Sequence, residues 1–404
     1  MKILMVNKFH YLKGGSEKYY FDLAKLLLEH GHEVAFFSMK NDKNIKTDCK
    51  EYFVENSDMD SKNPFKAFDI IYSKRNKKIM EKALDEFKPD LVHLNNFQRQ
   101  LSASIIEPIK KRKIPIVFTA HDLQAICPNK TMLDSKNDIC EKCLNGSYIN
   151  CIKKKCIKNS TLKSYLGAIE NKYYNVKNIY SRKIDYIITP SEFYRKKFIE
   201  YGVDESKVES IHNFVEIPKE HEKMIGDYAI YFGRVSKEKG IFNLVQALSM
   251  IEKGNLYIAG SGTDEEKLKE KVEELKLSDR IKFLGYLQQD ELNNYILNSR
   301  FAVLPSIWYD NCPYSILETL AQGKPILGSN IAGIPELVKD KKSGLTFQYD
   351  DIEDLSKKLK KLFNDDELIE KLGENAKKQA KEEYDKNVYY NKIITIYKKL
   401  MAGR

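Results

Sequence analysis

Long apolar stretches are missing from this sequence of 404 residues. No run approaches the roughly 18 apolar residues of a membrane-spanning helix, and the apolar start, MKILMVNKF, is too short for the core of a secretory signal. Low-complexity tracts and internal repeats are also lacking, which argues against disordered and repeat architectures. We therefore expect a cytoplasmic, globular protein that is folded throughout.

Acidic residues are scarce in the first half of the chain. Residues 1–215 carry 38 Lys and Arg against 27 Asp and Glu, whereas the remainder carries 30 against 31. The excess of positive charge predicts an anionic partner for the first half, either a membrane surface at the inner face or an acidic acceptor. A lysine-rich solvated surface explains the charge equally well. No nucleic-acid-binding motif accompanies it, so we expect no nucleic acid partner.

The chain is longer than one hydrophobic core usually supports, which predicts two domains. MKILMVN predicts a strand, Gly14 and Gly15 predict a glycine loop before an amphipathic helix, and EVAFFS predicts a second strand. PDLVHLNNF, PIVFTAHD and DYIITPSEF are further short apolar strands that end in polar residues. Strands alternating with helices in this way predict a doubly wound parallel sheet.

The pattern pauses in VEIPKEHEKMIGD and starts again in YAIYFGRVSKEKGIFNLVQAL. NLYIAGSG, IKFLGYL, RFAVLPS and KPILGS continue it as strands, and the last stretch reads as a closing helix. We therefore predict an α/β protein with two Rossmann-like domains that face a central cleft. The predicted parts are residues 1–215 with a Cys-rich insertion at 127–160, residues 216–384, and a helix at 385–404 that packs back toward the N-terminal domain.

Two loops of the second half have the composition of an anion site. Arg234 and Lys239 follow a strand and are flanked by glycines, an arrangement that suits a diphosphate. Gly260 and Gly262, in AGSG, precede another predicted helix, whose first amides can bind an anion. Rossmann turns also need glycine for steric reasons alone, and that alternative stays open here.

SIWYDNCPYSILETLAQGKP, residues 306–325, places two acids around a proline. Pro313 is well suited to the first position of a helix that ends near Gly323. Asp310 then lies in the loop before the helix, and Glu318 lies about a turn and a half inside it. As purely structural groups, Asp310 would complement the helix dipole and Glu318 would be an exposed helix acid.

Taken together, these motifs resemble the retaining nucleotide-sugar glycosyltransferases of the GT-B fold, in the large group classified as family four. The resemblance covers nearly the whole chain. It rests on GGSE, AHD at 120–122, PSEF at 190–193, GRVSKEKG, AGSG, FLGYL, and the two acids before LAQGKPILGSNIAGIPELV. The chain differs from the usual pattern in that the first acid is Asp310, where glutamate is common.

The resemblance implies roles for individual residues. Arg234 and Lys239 would hold the donor diphosphate and support its departure in place of a metal ion, Glu318 would bind the ribose, and His121 would contact the transferred sugar. The further donor contacts would be Gly14, Gly15, Gly260, Gly262, the backbone at Tyr286 and Leu287, and Asp310 with Pro313, Tyr314 and Ser315. The implied reaction is sugar transfer, with retention, from a UDP- or GDP-sugar to a glycan or lipid-linked acceptor in cell-surface polysaccharide or glycoconjugate synthesis.

Three features leave alternatives open. DMD at 58–60 has the letters of a metal-binding triplet but lies in a polar run, so we expect no metal cofactor for catalysis. Five of the seven cysteines lie between 127 and 156, a spacing that suggests either a structural zinc or reduced thiols; our expected ligands are Cys127, Cys140, Cys143 and Cys156. The stripe of Tyr165, Ile169, Tyr173, Val176 and Tyr180 is either core packing or a membrane-facing surface.

Other functions compatible with the sequence are a nucleotide-sugar epimerase or hydrolase, and a protein that binds a nucleotide sugar without reacting with it. His93, in LVHLNNF, ends a strand much as His121 does, and we interpret it as a structural group.

Overall fold

The computed structural model describes residues 1–55, 68–219 and 224–403, and it divides into two compact units. The first unit comprises residues 1–212 and 390–404, and the second comprises residues 213–389. The DMD triplet at 58–60 lies outside the described residues.

The first unit is built on a parallel sheet of seven strands, in the order β3-β2-β1-β4-β5-β6-β7. The strands are β1 (Lys2–Val6), β2 (Glu33–Met39), β3 (Lys50–Val54), β4 (Leu91–Leu94), β5 (Ile116–Thr119), β6 (Tyr186–Thr189) and β7 (Val208–Ser210). β1, β4 and β5 are apolar along most of their length and buried on both faces, as expected for a parallel sheet covered by helices.

The second unit has a parallel sheet of six strands, in the order β10-β9-β8-β11-β12-β13. Its strands are β8 (Tyr228–Phe232), β9 (Asn255–Ala259), β10 (Ile281–Gly285), β11 (Phe301–Leu304), β12 (Ile326–Ser329) and β13 (Gly344–Phe347). An apolar core joins this sheet to the helices that pack on it.

The helices of the first unit are α1 (Gly15–Glu29), α2 (Lys74–Phe87), α3 (Ile106–Lys111), α4 (Ile149–Lys153), α5 (Thr161–Val176) and α6 (Glu192–Glu200). Those of the second unit are α7 (Ile241–Ser249), α8 (Glu265–Glu274), α9 (Gln289–Leu297), α10 (Tyr314–Ala321), α11 (Ile334–Leu337), α12 (Ile352–Asn364) and α13 (Asp366–Gln379). The last helix, α14 (Lys386–Ala402), begins in the second unit and continues in the first. No helix in the described parts of the chain is both long enough and apolar enough to cross a membrane.

The predicted α/β fold with two Rossmann-like sheets is confirmed. In both sheets the strand order reverses beside the first strand of the unit, between β1 and β4 and between β8 and β11. Ligands of such sheets bind at this reversal, at the carboxyl ends of the strands. Sequence reasoning missed three strands, β3, β7 and β13, which are short or lie at a sheet edge.

Aromatic contacts attach the end of the chain to the first unit. The Tyr390 ring stacks on His30 with ring centres 3.6 Å apart, and the Tyr390 hydroxyl lies 2.9 Å from His32 Nε2. Further along α14, the Tyr397 hydroxyl is hydrogen-bonded to His93 Nδ1 in the core. The Tyr390 contacts and the buried hydrogen bond of Tyr397 explain why α14, whose apolar spacing predicted a helix, packs on this particular sheet.

Candidate active site

Two glycine-containing loops follow β8 and β9 at the carboxyl edge of the second sheet. Gly260 has φ +133°, and a Cβ added there would lie 1.9 Å from the carbonyl oxygen of Gly233. A Cβ at Gly262 would lie 2.0 Å from the carbonyl oxygen of Val235. The Gly260 amide donates to the Gly285 carbonyl at 2.6 Å. Close backbone packing therefore requires both glycines, and their contact with a phosphate stays a prediction.

Lys239 forms an ion pair with Asp310. Its Nζ donates to both carboxylate oxygens, at 2.9 and 2.7 Å, and lies 5.2 Å from the centre of the Trp308 ring. Asp310 also accepts a hydrogen bond of 2.5 Å from Ser306 Oγ. The Lys239 and Asp310 side chains are only 16% and 10% exposed, so water screens the pair weakly. The pair joins the loops after β8 and β11, the two strands at the order reversal.

The ion pair gives Asp310 a role different from the purely structural one considered in the sequence analysis. Its carboxylate faces a lysine and a serine hydroxyl, and it acts as the partner of a buried cation rather than as a simple complement to the helix dipole. Sequence reasoning missed Ser306 and Trp308. Their position directly after an apolar strand, four and two residues before Asp310, was the available signal.

Arg234 is the more accessible of the two predicted diphosphate ligands. Its side chain is 56% exposed and contacts Glu238 Oε1 at 3.3 Å. The Tyr231 hydroxyl donates to the Arg234 carbonyl oxygen at 2.6 Å, which fixes the backbone where the loop leaves the sheet. The structure thus anchors Arg234 through its main chain and leaves most of its guanidinium open to solvent.

Helix α10 begins one residue later than predicted, with Pro313 as its N-cap residue. It ends before Gly323, whose φ of +72° is typical of a helix C-terminus. Tyr314 is buried, whereas Ser315 and Glu318 are partly exposed. Gln289 Nε2 donates to Glu318 Oε1 at 3.4 Å, so this acid reaches the neighbouring helix α9.

The residues predicted to receive the base follow the edge strand β10. Tyr286 is 75% exposed, and Leu287 is partly buried. A large exposed aromatic ring at the end of a strand is available for stacking, and its role stays a prediction.

His121 follows β5 in the first unit, and its ring is oriented by Asn95. Asn95 Nδ2 donates to the Val6 carbonyl at 3.3 Å, which directs its Oδ1 toward His121 Nε2 at 2.9 Å. Nε2 therefore carries the hydrogen, and Nδ1 is left as an acceptor. Burial lowers the pKa of His121 to about 4, so the ring is neutral near pH 7. The Tyr19 ring packs edge-on against it at 4.7 Å.

His93, in contrast, is a structural group, as interpreted from the sequence. It is fully buried, with Nε2 at 2.8 Å from Thr119 Oγ1 and Nδ1 bonded to the Tyr397 hydroxyl. Burial lowers its pKa to about 3.

The depressed pKa of His93 predicts acid sensitivity of the first unit. Below about pH 6.5 an unfolded histidine binds a proton that the folded protein excludes until about pH 3, so stability is present above pH 6.5 and is lost as pH falls. The His93→Gln variant should flatten the dependence of unfolding free energy on pH by about 1.4 kcal/mol per pH unit between pH 6 and 4. Urea unfolding across this range measures the slope. An unchanged slope would show that the ring is not neutral in the folded state.

The glycines after β1 are less constrained than those of the second unit. Gly14 has an extended backbone, with φ −178°, and an added Cβ would meet only Glu17 Oε2, at 3.8 Å. Gly15 is the first residue of α1. Because packing within the unit does not require glycine at position 14, close approach of a ligand remains a reason for it. The predicted phosphate contact is untested.

All seven cysteines are free thiols. Cys151, outside the predicted ligand set, is buried and donates a hydrogen bond to Cys156, which lowers the pKa of Cys156 and raises that of Cys151. Burial raises the pKa of Cys127 to about 12 and that of Cys143 to about 11. Within residues 1–55, 68–219 and 224–403, no three His, Cys, Asp or Glu side chains are arranged to hold a metal ion. Binding of zinc by the predicted ligands stays a prediction.

Comparison with known proteins places the chain in a family. A family model described as Glycosyltransferase Family 4 matches residues 13–218, just over half the chain, and one described as Glycosyl transferases group 1 matches residues 213–379. The chain belongs to glycosyltransferase family 4. The two matches meet near residue 215, where the two units also divide.

Relatives of this family 4 glycosyltransferase include an uncharacterized 42.6 kDa protein in the cps region of Klebsiella pneumoniae, 24% identical over 83% of this chain and 87% of that protein. The amylovoran biosynthesis glycosyltransferase AmsK of Erwinia amylovora is 24% identical over 41% of this chain and 43% of its own. Among solved structures, Anabaena HepE in complex with UDP-glucose has a TM-score of 0.72 at 16% identity, covering 99% of this chain and 100% of HepE. That likeness shows the GT-B fold.

Proposed function

We propose that this chain transfers a sugar, with retention of anomeric configuration, from a nucleotide-diphosphate sugar to a glycan or lipid-linked acceptor in polysaccharide or glycoconjugate synthesis. The observation that carries the proposal is the grouping of Arg234, Lys239 and Asp310 where the strand order of the second sheet reverses. HepE, which has this fold, binds UDP-glucose, and AmsK acts in the biosynthesis of a polysaccharide. The first finding supports a sugar nucleotide as donor, and the second supports a role in polysaccharide synthesis.

The chemistry follows from charge. When the bond between the anomeric carbon and the phosphate breaks, the nucleoside diphosphate gains negative charge, and fixed cations stabilise that charge without a proton transfer. Arg234, mostly open to solvent, would contact the diphosphate directly. Lys239 is held in place by Asp310, whose carboxylate accepts a hydrogen bond from Ser306, so the charge of Lys239 is preorganised but partly offset. Glu318 would accept hydrogen bonds from the ribose, and His121 would contact the transferred sugar. Arg234 and Lys239 would thus stabilise the leaving diphosphate in place of a metal ion.

Product analysis tests the proposal. A panel of UDP- and GDP-sugars is first screened for thermal stabilisation, since a ligand that binds only the folded state raises the melting temperature. With the stabilising donor and a mixture of glycan and lipid-linked acceptors, we expect nucleoside diphosphate and a glycoside with the donor's anomeric configuration, and EDTA should not reduce the rate. An epimer, or free sugar without acceptor, would indicate the alternative enzymes. Donor binding with no released diphosphate would indicate a non-catalytic binder.

We also propose that an anionic membrane surface is the partner of the first unit. The basic segment, residues 151–184, has nine Lys and Arg and a single acid, Glu170, which is 1% exposed. On α5 within this segment, Leu162, Tyr165 and Val176 are 68%, 50% and 63% exposed and share one helical face. An apolar stripe beside lysines suits the interface of acidic lipids. The predicted stripe is therefore divided: Tyr180 is core, and Tyr165 and Val176 are surface.

Vesicle binding tests this surface. The double variant Lys172→Gln Lys177→Gln, which alters the two lysines flanking the stripe, should bind phosphatidylglycerol vesicles about 2 kcal/mol more weakly, since each such charge contributes about 1 kcal/mol. Binding of the wild type should weaken as salt rises. The variant Lys40→Gln Lys43→Gln, at two exposed lysines outside the basic segment, is the control. Equal binding to phosphatidylcholine vesicles, or none to either, would leave the segment as a solvated surface.

Structural zinc remains our proposal for the Cys-rich insertion, although the thiols would have to rotate to ligate it. Elemental analysis of purified protein should then find about one zinc per chain, because a structural site binds its metal tightly. Cys127→Ser should abolish the metal, and Cys49→Ser, outside the insertion, should not. Metal-free protein with five titrating thiols in the insertion would leave them as reduced cysteines.

A further inference from the structure

Lys8 is a lysine in an unusual position. It comes two residues after β1, and its side chain is 7% exposed. Its amide donates to the Asn96 carbonyl at 2.8 Å, and its own carbonyl accepts from the Met39 amide at 3.2 Å, so its backbone is fixed. The nearest aromatic ring, Phe9, is 5.8 Å from Nζ. Across the described residues, no carboxylate comes within ion-pair distance of this ammonium.

A lysine buried without a partner is costly, and natural proteins rarely keep one without a use. Burial is the main reason why the pKa of Lys8 falls to about 8, so the protonated, charged form still predominates at pH 7. Lys8 Nζ is not among the polar atoms of the described residues that are wholly buried and lack a hydrogen-bond partner. The tip of the side chain therefore still reaches solvent, although its stem is enclosed.

The neighbouring acids already have partners. Glu170 accepts from the Arg99 amide at 2.8 Å and faces the Arg99 guanidinium at 3.6 Å. Glu17 accepts from Asn7 Nδ2 at 3.3 Å, and burial raises the pKa of both glutamates. Neither acid neutralises Lys8 at contact distance.

Among the described residues, one further acid and two cations act on the charge of Lys8. Asp122 acts on Lys8 from beyond contact distance, and its Oδ1 accepts from the Gln124 amide at 3.0 Å. Arg99 and Lys130 both disfavour the charged form of Lys8 through repulsion. Lys130 and Arg99 thus place a positive field at Lys8, and the nearby acids offset it only from beyond contact distance with Lys8.

This field lies beside the predicted point of transfer. Lys8 follows Val6 on β1, and the Val6 carbonyl is linked through Asn95 to His121. Both positions lie at the carboxyl edge of the first sheet, where β1 and β4 reverse the strand order.

We propose that Lys8 is the centre of a subsite for an anionic group, a phosphate or a carboxylate, of the acceptor. The subsite rests on the proposed transferase function. An anion would meet a positioned ammonium in surroundings of low polarity, where an ion pair is strong, and it would remove the repulsion that Lys8 meets from Arg99 and Lys130. The acceptor class would accordingly be charged, either a lipid or glycan phosphate or an acidic sugar.

Calorimetric titration tests the subsite with two probes, inorganic phosphate and glucuronate, in the presence of saturating UDP or GDP, whichever stabilises the chain. We expect the wild type to bind at least one probe and Lys8→Gln to bind it at least tenfold more weakly. The exposed Lys40→Gln is the matched control and should bind like the wild type. Preference for phosphate or for glucuronate identifies the source of the charge.

Proton uptake gives a second readout that does not need the variant. Because the pKa of Lys8 is about 8, an anion that raises it should cause uptake of up to about half a proton at pH 8, measured in buffers of different ionisation enthalpy. If neither probe binds, or if Lys8→Gln binds as well as the wild type, the subsite is wrong. A separate titration of UDP or GDP into the protein reports on the donor site, so failure of the donor site and failure of the subsite are distinguished.

Discussion

The Arg234→Ala variant should lose about 2 to 4 kcal/mol of transition-state stabilisation, a decrease in turnover of roughly 30- to 1000-fold. Arg234 is mostly exposed, so water screens its contact with Glu238, whereas Lys239 is largely buried against Asp310. Its charge matters most as the diphosphate departs, so the loss should appear in kcat more than in donor affinity. Initial rates of nucleoside diphosphate release over a range of donor concentrations separate the two.

Two further variants control this experiment. Lys237→Ala removes an exposed cation three residues away and should leave both constants near the wild-type values. Glu318→Ala should weaken donor binding with a smaller effect on kcat, because ribose contacts are the same in ground and transition states. If Arg234→Ala and Glu318→Ala both melt and react like the wild type, the donor site lies elsewhere.

Gly260→Ala should strongly destabilise the second unit, by about 3 to 5 kcal/mol. Two costs add: a backbone conformation of φ +133° that side chains rarely adopt, and a Cβ placed 1.9 Å from the Gly233 carbonyl oxygen. The backbone at both ends is fixed in adjacent strands, β8 and β9, so it cannot move away without breaking the sheet. A thermal scan should show a transition lower by about 10 °C.

Gly285→Ala is the matched control for that substitution. Gly285 also has a positive φ, of +66°, but an added Cβ meets nothing within 4 Å. It should therefore cost only about 1 kcal/mol, the penalty of the left-handed conformation. Equal destabilisation by the two variants would mean that backbone conformation alone, and not the close approach of the two loops, requires glycine at position 260.

The sequence alone determined the elements that depend on local patterns. Short apolar runs ending in polar residues predicted β1, β2, β4, β5 and β6 in the first unit and β8 to β12 in the second. Continuous apolar runs of that length are typical of strands buried on both faces. It also determined where helix α10 starts, to within one residue, since Pro313 and Gly323 act on the backbone directly.

Only the tertiary structure decided which of these residues meet. Lys239 and Asp310 are 71 positions apart, and the parallel order of β8 and β11 brings them together. Asn95 and His121 are 26 positions apart and follow the neighbouring strands β4 and β5, and no local pattern predicts that the amide selects the histidine tautomer. A sequence rich in lysine likewise does not show that Lys8 is buried with no carboxylate of the described residues at contact distance. Burial and pairing depend on strand order and on side chains distant in the chain, whereas periodicity and turn residues describe only the backbone nearby.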